Sequence, residues 1–218
     1  MNKSIPIFIA IIGFLMFTIP LFAMDINFEQ MRKIAGEGHP VAQYNIGNRF
    51  FNGNGVVKSD TDALIWYQKS AEQGFLLAQY SLGVMYHTGN GANKNHAKAL
   101  GWYLKAAEQG YAGAQNKLGI MYEKGQGVPQ NYQEAIKLYS QAAENGYAGA
   151  QYNLALLHYN GLGGALDYVK AFVWCSMAAN SGHSAGKNYL TLIKSNMKPT
   201  ELKKAQNQLV ILNQETAP

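Results

Sequence analysis

Histidine, cysteine and acidic residues carry most enzymatic and metal chemistry, and this chain of 218 residues uses them sparingly. The five histidines are His39, His87, His96, His158 and His183. No two of them stand four residues apart, the spacing that turns two metal ligands to one side of a helix. The 13 acidic residues form no paired site on one face, and no serine stands in a nucleophile elbow. The sequence therefore predicts no enzyme, no cofactor and no metal site.

The sequence repeats with a period of 36 residues, and this repeat determines where the helices and turns of the chain are expected. A phrase of small residues closed by a glycine, fullest at residues 106–110, recurs along the chain. The closing glycines are Gly38, Gly74, Gly110, Gly146 and Gly182. Four units align without a gap, at 39–74, 75–110, 111–146 and 147–182. A period of this size predicts a stacked array of helix–turn–helix units, in which each phrase ends a helix.

We call a set of equivalent positions in the four aligned units a column. Three columns define the backbone of each unit. The first helix carries glycine in three units, at Gly47, Gly83 and Gly119, and alanine at Ala155 in the fourth. Glycine inside a helix costs up to about 1 kcal/mol, so it predicts the close approach of a second helix. A turn with two glycines follows and predicts positive φ. The second helix then begins at a capping residue, namely Ser59, Asn95, Asn131 and Asp167.

Two neighbouring columns of the second helix are mostly aromatic. One holds Trp66, Trp102, Leu138 and Trp174, and the next holds Tyr67, Tyr103, Tyr139 and Cys175. We interpret both as core positions that form an aromatic wedge between neighbouring hairpins. Cys175 stands in a tyrosine column, which favours a buried, inert thiol over a reactive nucleophile. His158 likewise replaces an aromatic residue and is interpreted as a packed substitute.

The two ends of the chain differ from the repeats. Residues 1–23 have the pattern of a secretory signal peptide, with Lys3 first, an apolar run and Ala23 at the expected cleavage position. An uncleaved membrane anchor is the alternative, but Pro20 and Ala23 favour cleavage, after which no stable membrane insertion is expected. We expect a periplasmic or secreted protein. Residues 24–38 are predicted to form an N-terminal capping helix, and 183–218 the C-terminal capping helices.

The repeats resemble the Sel-one-like repeat family, a relative of the tetratricopeptide repeats. The matching phrases are AQYSLGVMYHTGNG at 78–91 and ALGWYLKAAEQG at 99–110. This resemblance implies an all-α, right-handed α-solenoid that serves as a scaffold for binding other proteins. Bacterial members of that family are often exported, and some act in host interaction, stress signalling or envelope assembly. One branch carries a cysteine pair in each repeat, and this chain lacks those cysteines.

In the resembling tetratricopeptide family, one face of the first helices lines a concave groove. Here that face carries positions 41, 44, 48 and 51 and their equivalents 36 residues on, and we call it the groove face. The candidate partner-binding residues on it are Tyr44, Asn48, Phe51, Tyr80, Val84, His87, Asn116, Glu123, Tyr152 and Tyr159. Tyr44, Tyr80, Asn116 and Tyr152 would form a ladder suited to interfaces. Alternatively, the tyrosines pack on the adjacent helix and only their hydroxyls contact water.

Two function classes follow from these residues. The first is a non-catalytic scaffold that binds a peptide or helix of a partner protein. The second is a glycan-binding module of the cell envelope, associated with peptidoglycan, that regulates a cell-wall enzyme. A sugar site needs exposed tryptophan, so the placement of the tryptophans in core columns favours protein. The net charge of +5 comes from scattered lysines, which indicates a solvated surface and no nucleic-acid partner.

Overall fold

The computed structural model describes residues 28–215, with side-chain environments for residues 28–212. Over this range the chain forms helices and turns without a strand. The helices are α1 Phe28–Gly36, α2 Pro40–Asn52, α3 Asp60–Glu72, α4 Leu76–Thr88, α5 His96–Glu108, α6 Ala112–Lys124, α7 Tyr132–Glu144, α8 Ala148–Asn160, α9 Tyr168–Asn180, α10 Ser184–Ser195 and α11 Pro199–Glu215. Each helix from α1 to α10 packs on its neighbour in sequence, most closely within the hairpins α2–α3, α4–α5, α6–α7 and α8–α9. The predicted all-α solenoid is confirmed.

The predicted signal peptide, residues 1–23, lies outside the described residues. Between residues 28 and 215, no helix combines the length and the apolar character needed to cross a membrane. Before the first hairpin stands α1, and after the last one stand α10 and α11, which both pack on α9.

The second helix of every hairpin begins at its predicted capping residue. The side chains of Ser59, Asn95, Asn131 and Asp167 each accept a hydrogen bond from the backbone N–H three residues later, with distances between 2.9 and 3.2 Å. Each bond satisfies an N–H group that the helix start leaves free, an effect worth about 1 kcal/mol. These bonds fix where every second helix starts and hence which of its faces meets the first.

The turn inside each hairpin depends on its two glycines. Gly89 ends α4 in the left-handed region with φ of 88°, and Gly91 follows with φ of 70°. A side chain at Gly91 would also collide with the carbonyl oxygen of Asp60, at the start of α3 in the preceding hairpin. The second glycine of the turn therefore meets a backbone requirement and also permits the contact between neighbouring repeats.

The glycine in the middle of each first helix makes room for a tyrosine ring. A Cβ placed on Gly47 would lie 2.6 Å from Cδ1 of Tyr67, and on Gly119 it would lie 2.5 Å from Cε1 of Tyr139. The predicted close approach is confirmed, and the neighbour is a ring rather than a backbone. In the fourth hairpin Ala155 replaces the glycine and Cys175 replaces the tyrosine, and both are fully buried. The two columns change together because they share one space.

The three tryptophans of the first aromatic column are half-buried, which corrects the expectation that they lie in the core, whereas Leu138 in the same column is buried as predicted. The ammonium of Lys69 lies 4.5 Å from the ring centroid of Trp66, and that of Lys105 lies 4.3 Å from Trp102. Trp102 also contacts the buried cluster around Leu82. The sequence pattern placed these rings by helical spacing alone, and spacing does not show that a lysine three residues on covers the ring.

A column of buried glutamines, which the sequence analysis missed, links the hairpins at one edge. Nε2 of Gln79 donates to the carbonyl oxygen of Ala71, at 3.3 Å, and Oε1 of Gln79 accepts from Nε2 of Gln109, at 2.8 Å. Gln43 and Gln73 form the same side-chain bond, at 2.7 Å. The phrase at 106–110 therefore does more than end a helix, because its glutamine is bonded to the first helix of its own unit. The same residue type in one column of all four units was the signal.

The third hairpin breaks this pattern, because its phrase carries Asn145 in place of glutamine. Nδ2 of Asn145 donates to the carbonyl oxygen of Gln141, at 3.0 Å. The buried Oε1 of Gln115 is left without a hydrogen-bond partner among the described residues. We expect Asn145→Gln to supply the donor and raise the free energy of unfolding by about 0.5–1.5 kcal/mol. Urea unfolding followed by circular dichroism checks this, with Gln109→Asn as the opposite control. A less stable Asn145→Gln variant would contradict the prediction.

Candidate partner-binding site

The predicted tyrosine ladder packs against rings from its own hairpin and from the next. The ring centroid of Tyr44 lies 5.6 Å from that of Tyr67 and 5.2 Å from that of Phe75. Tyr80 makes the equivalent two contacts one repeat on, at 5.8 and 4.9 Å. Tyr44 and Tyr80 remain partly exposed. The rings are therefore held rigidly, as the packing alternative expects, and still offer contact area on the groove face.

Asn116 does not take the place in the ladder that its column predicts. It is only 6% exposed, and its Oδ1 accepts a hydrogen bond from Nδ2 of Asn153, at 3.0 Å. Its short amide is directed to the next first helix, so it offers little surface to a partner. Tyr152 lies beyond this gap and stacks on His183, with ring centroids 4.5 Å apart. The ladder is therefore interrupted between Tyr80 and Tyr152.

A pocket opens on the groove face between α2, α3 and α4. It has a volume of about 250 Å³ and is lined by Phe51, Tyr67, Tyr80, Ser81, Val84 and Met85. We call it the aromatic pocket. Three predicted residues, Phe51, Tyr80 and Val84, meet in it. Its volume falls below the roughly 300–1,000 Å³ typical of small-molecule sites, so it fits one apolar side chain rather than a cofactor.

Two of the predicted polar residues support the wall of the groove face. The hydroxyl of Tyr67 donates to Oδ1 of Asn48, at 2.7 Å, and that of Tyr139 donates to Oε2 of Glu123, at 2.6 Å. Burial raises the pKa of Tyr67 and of Tyr139, and the bond to Glu123 raises the pKa of Tyr139 further. Asn48 and Glu123 therefore hold buried tyrosines in place and have one oxygen already engaged.

A basic cluster lies one repeat beyond the aromatic pocket. The rings of His87 and His96 meet edge to face, with centroids 5.0 Å apart. Burial lowers the pKa of His87, and neighbouring bases lower it further. In order of effect these bases are His96, Lys117, Lys94 and Lys124. We call His87 and these four residues the basic junction. Only His87 among these residues was predicted from the sequence, although Lys117 stands at a position whose residue type changes in neighbouring units, which marks a surface position.

Tyr159, the last predicted residue, lies against the C-terminal helices and away from the aromatic pocket. Its ring centroid is 5.4 Å from that of Tyr189 on α10, and its hydroxyl accepts from Nδ2 of Asn196, at 3.1 Å. The structure thus gathers three of the ten predicted residues into the pocket. The others lie along the same face, with Asn116 buried.

The residues with reactive side chains are placed for packing. Cys175 is fully buried, its thiol donates to the carbonyl oxygen of Gly186 at 3.2 Å, and burial raises its pKa to about 11. The predicted burial of this thiol is confirmed, and a raised pKa leaves little of the reactive thiolate near neutral pH. His158 is half-buried, and burial and Lys170 lower its pKa while Asp167 opposes them. Among residues 28–212, no three histidine, cysteine or acidic side chains come together as a metal site.

Because the pKa of His87 and of His158 is lowered in the folded chain, these residues make the folded state less stable as the pH falls. The unfolded chain takes up protons at these residues near their ordinary pKa of about 6.5, whereas the folded chain binds them only at lower pH. We expect the contribution of these two histidines to the free energy of unfolding to be constant above pH 7.5 and to fall as the pH decreases from 7 to 5.5. Urea midpoints across this range measure the slope. The double variant His87→Gln, His158→Gln should flatten it, and an unchanged slope would contradict the assignment.

Each of the four repeats matches the family model of the Sel1 repeat, at residues 40–75, 76–111, 112–147 and 148–183. This register begins one residue later than the units defined from the sequence. The match covers well over half of the chain and includes every helix from α2 to α9.

Several solved structures are similar to this chain. The protective antigen c5321 of uropathogenic Escherichia coli strains displays an SLR fold and is 33% identical over 85% of this chain and 41% of its own, with a TM-score of 0.75. A Sel1 repeat protein from Oxalobacter formigenes is 34% identical over 71% of this chain and 63% of its own, with a TM-score of 0.68. The immunity protein Pa5087 from Pseudomonas aeruginosa is 26% identical over 72% of this chain and 58% of its own, with a TM-score of 0.50. The chain thus spans less than two thirds of each. No protein of curated function matches the chain.

Proposed function

Because the chain belongs to the Sel1 repeat family, whose repeats are typically non-catalytic scaffolds for protein–protein interaction, we propose that its groove face binds a peptide segment or helix of a partner protein. The aromatic pocket is the observation that carries this proposal. Its walls are rings already fixed by packing, so a partner side chain enters without ordering the pocket first, which reduces the entropic cost of binding.

We place this function in the periplasm or outside the cell, in host interaction or envelope assembly. The location rests on the signal-peptide pattern of residues 1–23. The similarity to c5321, a protective antigen, supports the role in host interaction. Mass spectrometry of the protein recovered from the cell envelope or the medium should find an N-terminus at Met24. A chain that still begins at Met1 would refute cleavage and favour the anchor.

The peptidoglycan alternative has less support. Glycan binding uses open aromatic faces, whereas lysine ammonium groups lie over the rings of Trp66 and Trp102. The aromatic pocket is bordered by tyrosine and phenylalanine and suits a single side chain better than a sugar ring. Sedimentation with purified peptidoglycan sacculi distinguishes the two functions, since a protein-binding scaffold should stay in the supernatant.

Site-specific photo-crosslinking in cells that produce the chain tests the groove face. A crosslinking amino acid at Val84, inside the aromatic pocket, should yield one defined protein adduct. The same amino acid at Leu104, exposed on a second helix, serves as the control. Replacing Tyr44, Tyr80 and Tyr152 with alanine should reduce the Val84 adduct in a chain whose helicity is unchanged. Equal adducts at Val84 and Leu104, or no effect of the triple replacement, would refute the groove face as the binding site.

A further inference from the structure

The six positions that line the aromatic pocket recur one and two repeats along, with different side chains. Shifting its six lining positions by 36 residues gives His87, Tyr103, Asn116, Lys117, Ile120 and Met121. In this second set a histidine replaces the phenylalanine and a lysine replaces the serine. A further shift replaces the histidine with Glu123. The groove face therefore presents a series of sites whose frame repeats while their charge changes.

The second site carries several basic side chains, and none of its lysines forms a salt bridge within the described residues. The rings of His87 and His96 meet there with centroids 5.0 Å apart, and Lys117 stands at the position that Ser81 holds in the aromatic pocket. Salt bridges within the described residues join Lys58 to Asp60 and Lys137 to Glu134, and neither involves Lys94, Lys117 or Lys124. Three ammonium groups next to two histidines create a positive potential, which attracts a negatively charged ligand group.

At the third site the charged group, the carboxylate of Glu123, already accepts a hydrogen bond from within the protein. Oε2 of Glu123 accepts the hydroxyl proton of Tyr139 at 2.6 Å, while the position equivalent to Lys117 is Asn153, which donates to Asn116. Of the three sites, the first is apolar and open, the second is basic and unneutralised, and the third is occupied by internal hydrogen bonds. The first two sites therefore determine which side chains a partner segment needs in order to bind.

Successive first helices are neighbours along the groove face, as the hydrogen bond between Asn116 on α6 and Asn153 on α8 shows. Neighbouring helices lie about 8–10 Å apart, so adjacent sites are separated by about 10 Å. An extended chain advances about 3.3 Å per residue, so this step corresponds to about three residues. Building on the proposed function, we propose that the partner segment places an apolar side chain in the aromatic pocket and a carboxylate, about three residues away, at the basic junction. The aromatic pocket supplies the anchor, and the basic junction supplies the charge selection.

Peptide display tests this proposal with a library of random 12-residue peptides selected on the immobilised full-length chain. Enriched peptides should combine a large apolar residue with Asp or Glu about three positions away. For such a peptide, Lys117→Glu should weaken binding about tenfold in low salt, because it reverses a charge at the site. Lys203→Glu makes the same charge change on α11 and should alter binding less than twofold. Repeating the selection on Lys117→Glu should shift the preference from acidic to basic residues.

The outcomes separate this inference from the proposed function. Enriched peptides that lose binding on Tyr80→Ala but show no acidic preference would overturn the carboxylate and leave the groove face intact. Equal effects of Lys117→Glu and Lys203→Glu would likewise overturn it, because only net charge would then matter. No enrichment over a blank surface, or binding unaffected by Tyr80→Ala, would overturn the proposed function as well.

Discussion

Replacing Tyr103 with alanine is expected to lower the free energy of unfolding by about 3–5 kcal/mol, the usual cost of removing a buried aromatic side chain. Tyr103 is only 1% exposed and belongs to a buried cluster that includes Leu118 and Met121 of the next hairpin. The loss therefore acts on the contact between two repeats as well as on the core of one. In a solenoid, where each unit contacts only its neighbours, we expect the unfolding transition to broaden or split.

Tyr103→Phe is the matched control for this prediction. The structure gives the hydroxyl of Tyr103 no side-chain hydrogen bond within the described range, unlike the hydroxyls of Tyr67 and Tyr139. The phenylalanine variant should therefore stay within about 1 kcal/mol of the parent, whereas Tyr139→Phe should cost more, since it leaves Glu123 without a donor. Chemical denaturation followed by circular dichroism measures all three. A cost below about 1 kcal/mol for Tyr103→Ala would contradict the role of the ring as an inter-repeat wedge.

Gly83→Ala is expected to be destabilising in the parent chain and neutral or stabilising when Tyr103 is cysteine. In the parent, the new methyl group collides with the Tyr103 ring, and overpacking costs about 1–3 kcal/mol. Without the ring only the helix preference of alanine remains, which is worth up to about 1 kcal/mol in favour of the variant. The fourth hairpin already contains this combination, as Ala155 and Cys175, both fully buried.

A double-mutant cycle on Gly83→Ala and Tyr103→Cys measures the coupling directly. We expect an interaction free energy of about 1–3 kcal/mol, within the range found for residues in contact. Ala155→Gly provides a control in the fourth hairpin, where no ring fills the space, and should cost about 1 kcal/mol through helix preference alone. Additive effects at Gly83 and Tyr103 would mean that the glycine has another cause.

The repeat frame was predictable because every backbone requirement occurs four times. The roles of the capping residues and of the turn glycines depend only on neighbouring backbone, because one supplies a side-chain oxygen and the other adopts a positive φ. The structure confirms both predictions. What faces the mid-helix glycine was not predictable from one unit, since spacing shows that space is needed but not which group fills it. The joint change to Ala155 and Cys175 contained that information.

The candidate site was predictable as a face and less so as individual residues. Helical spacing placed Phe51, Tyr80 and Val84 on one side, and the structure gathers them into one pocket. Asn116 was expected to be exposed on the groove face but is buried, because it contacts Asn153 of the next repeat, 37 residues away in sequence. Lys117 was missed because the basic junction combines side chains from two hairpins and the turn between α4 and α5.

The unpartnered oxygen of Gln115 has a mechanical consequence for the array. The side chains of Gln43 and Gln79 each bond to the preceding helix and to the end of their own hairpin, whereas Oε1 of Gln115 on α6 has no partner among the described residues. An array of similar repeats deforms first at the repeat that the fewest interactions hold in place. We therefore expect the third hairpin, whose first helix carries Lys117, to be held less tightly at this edge than the two hairpins before it, and the groove face to deform more easily there.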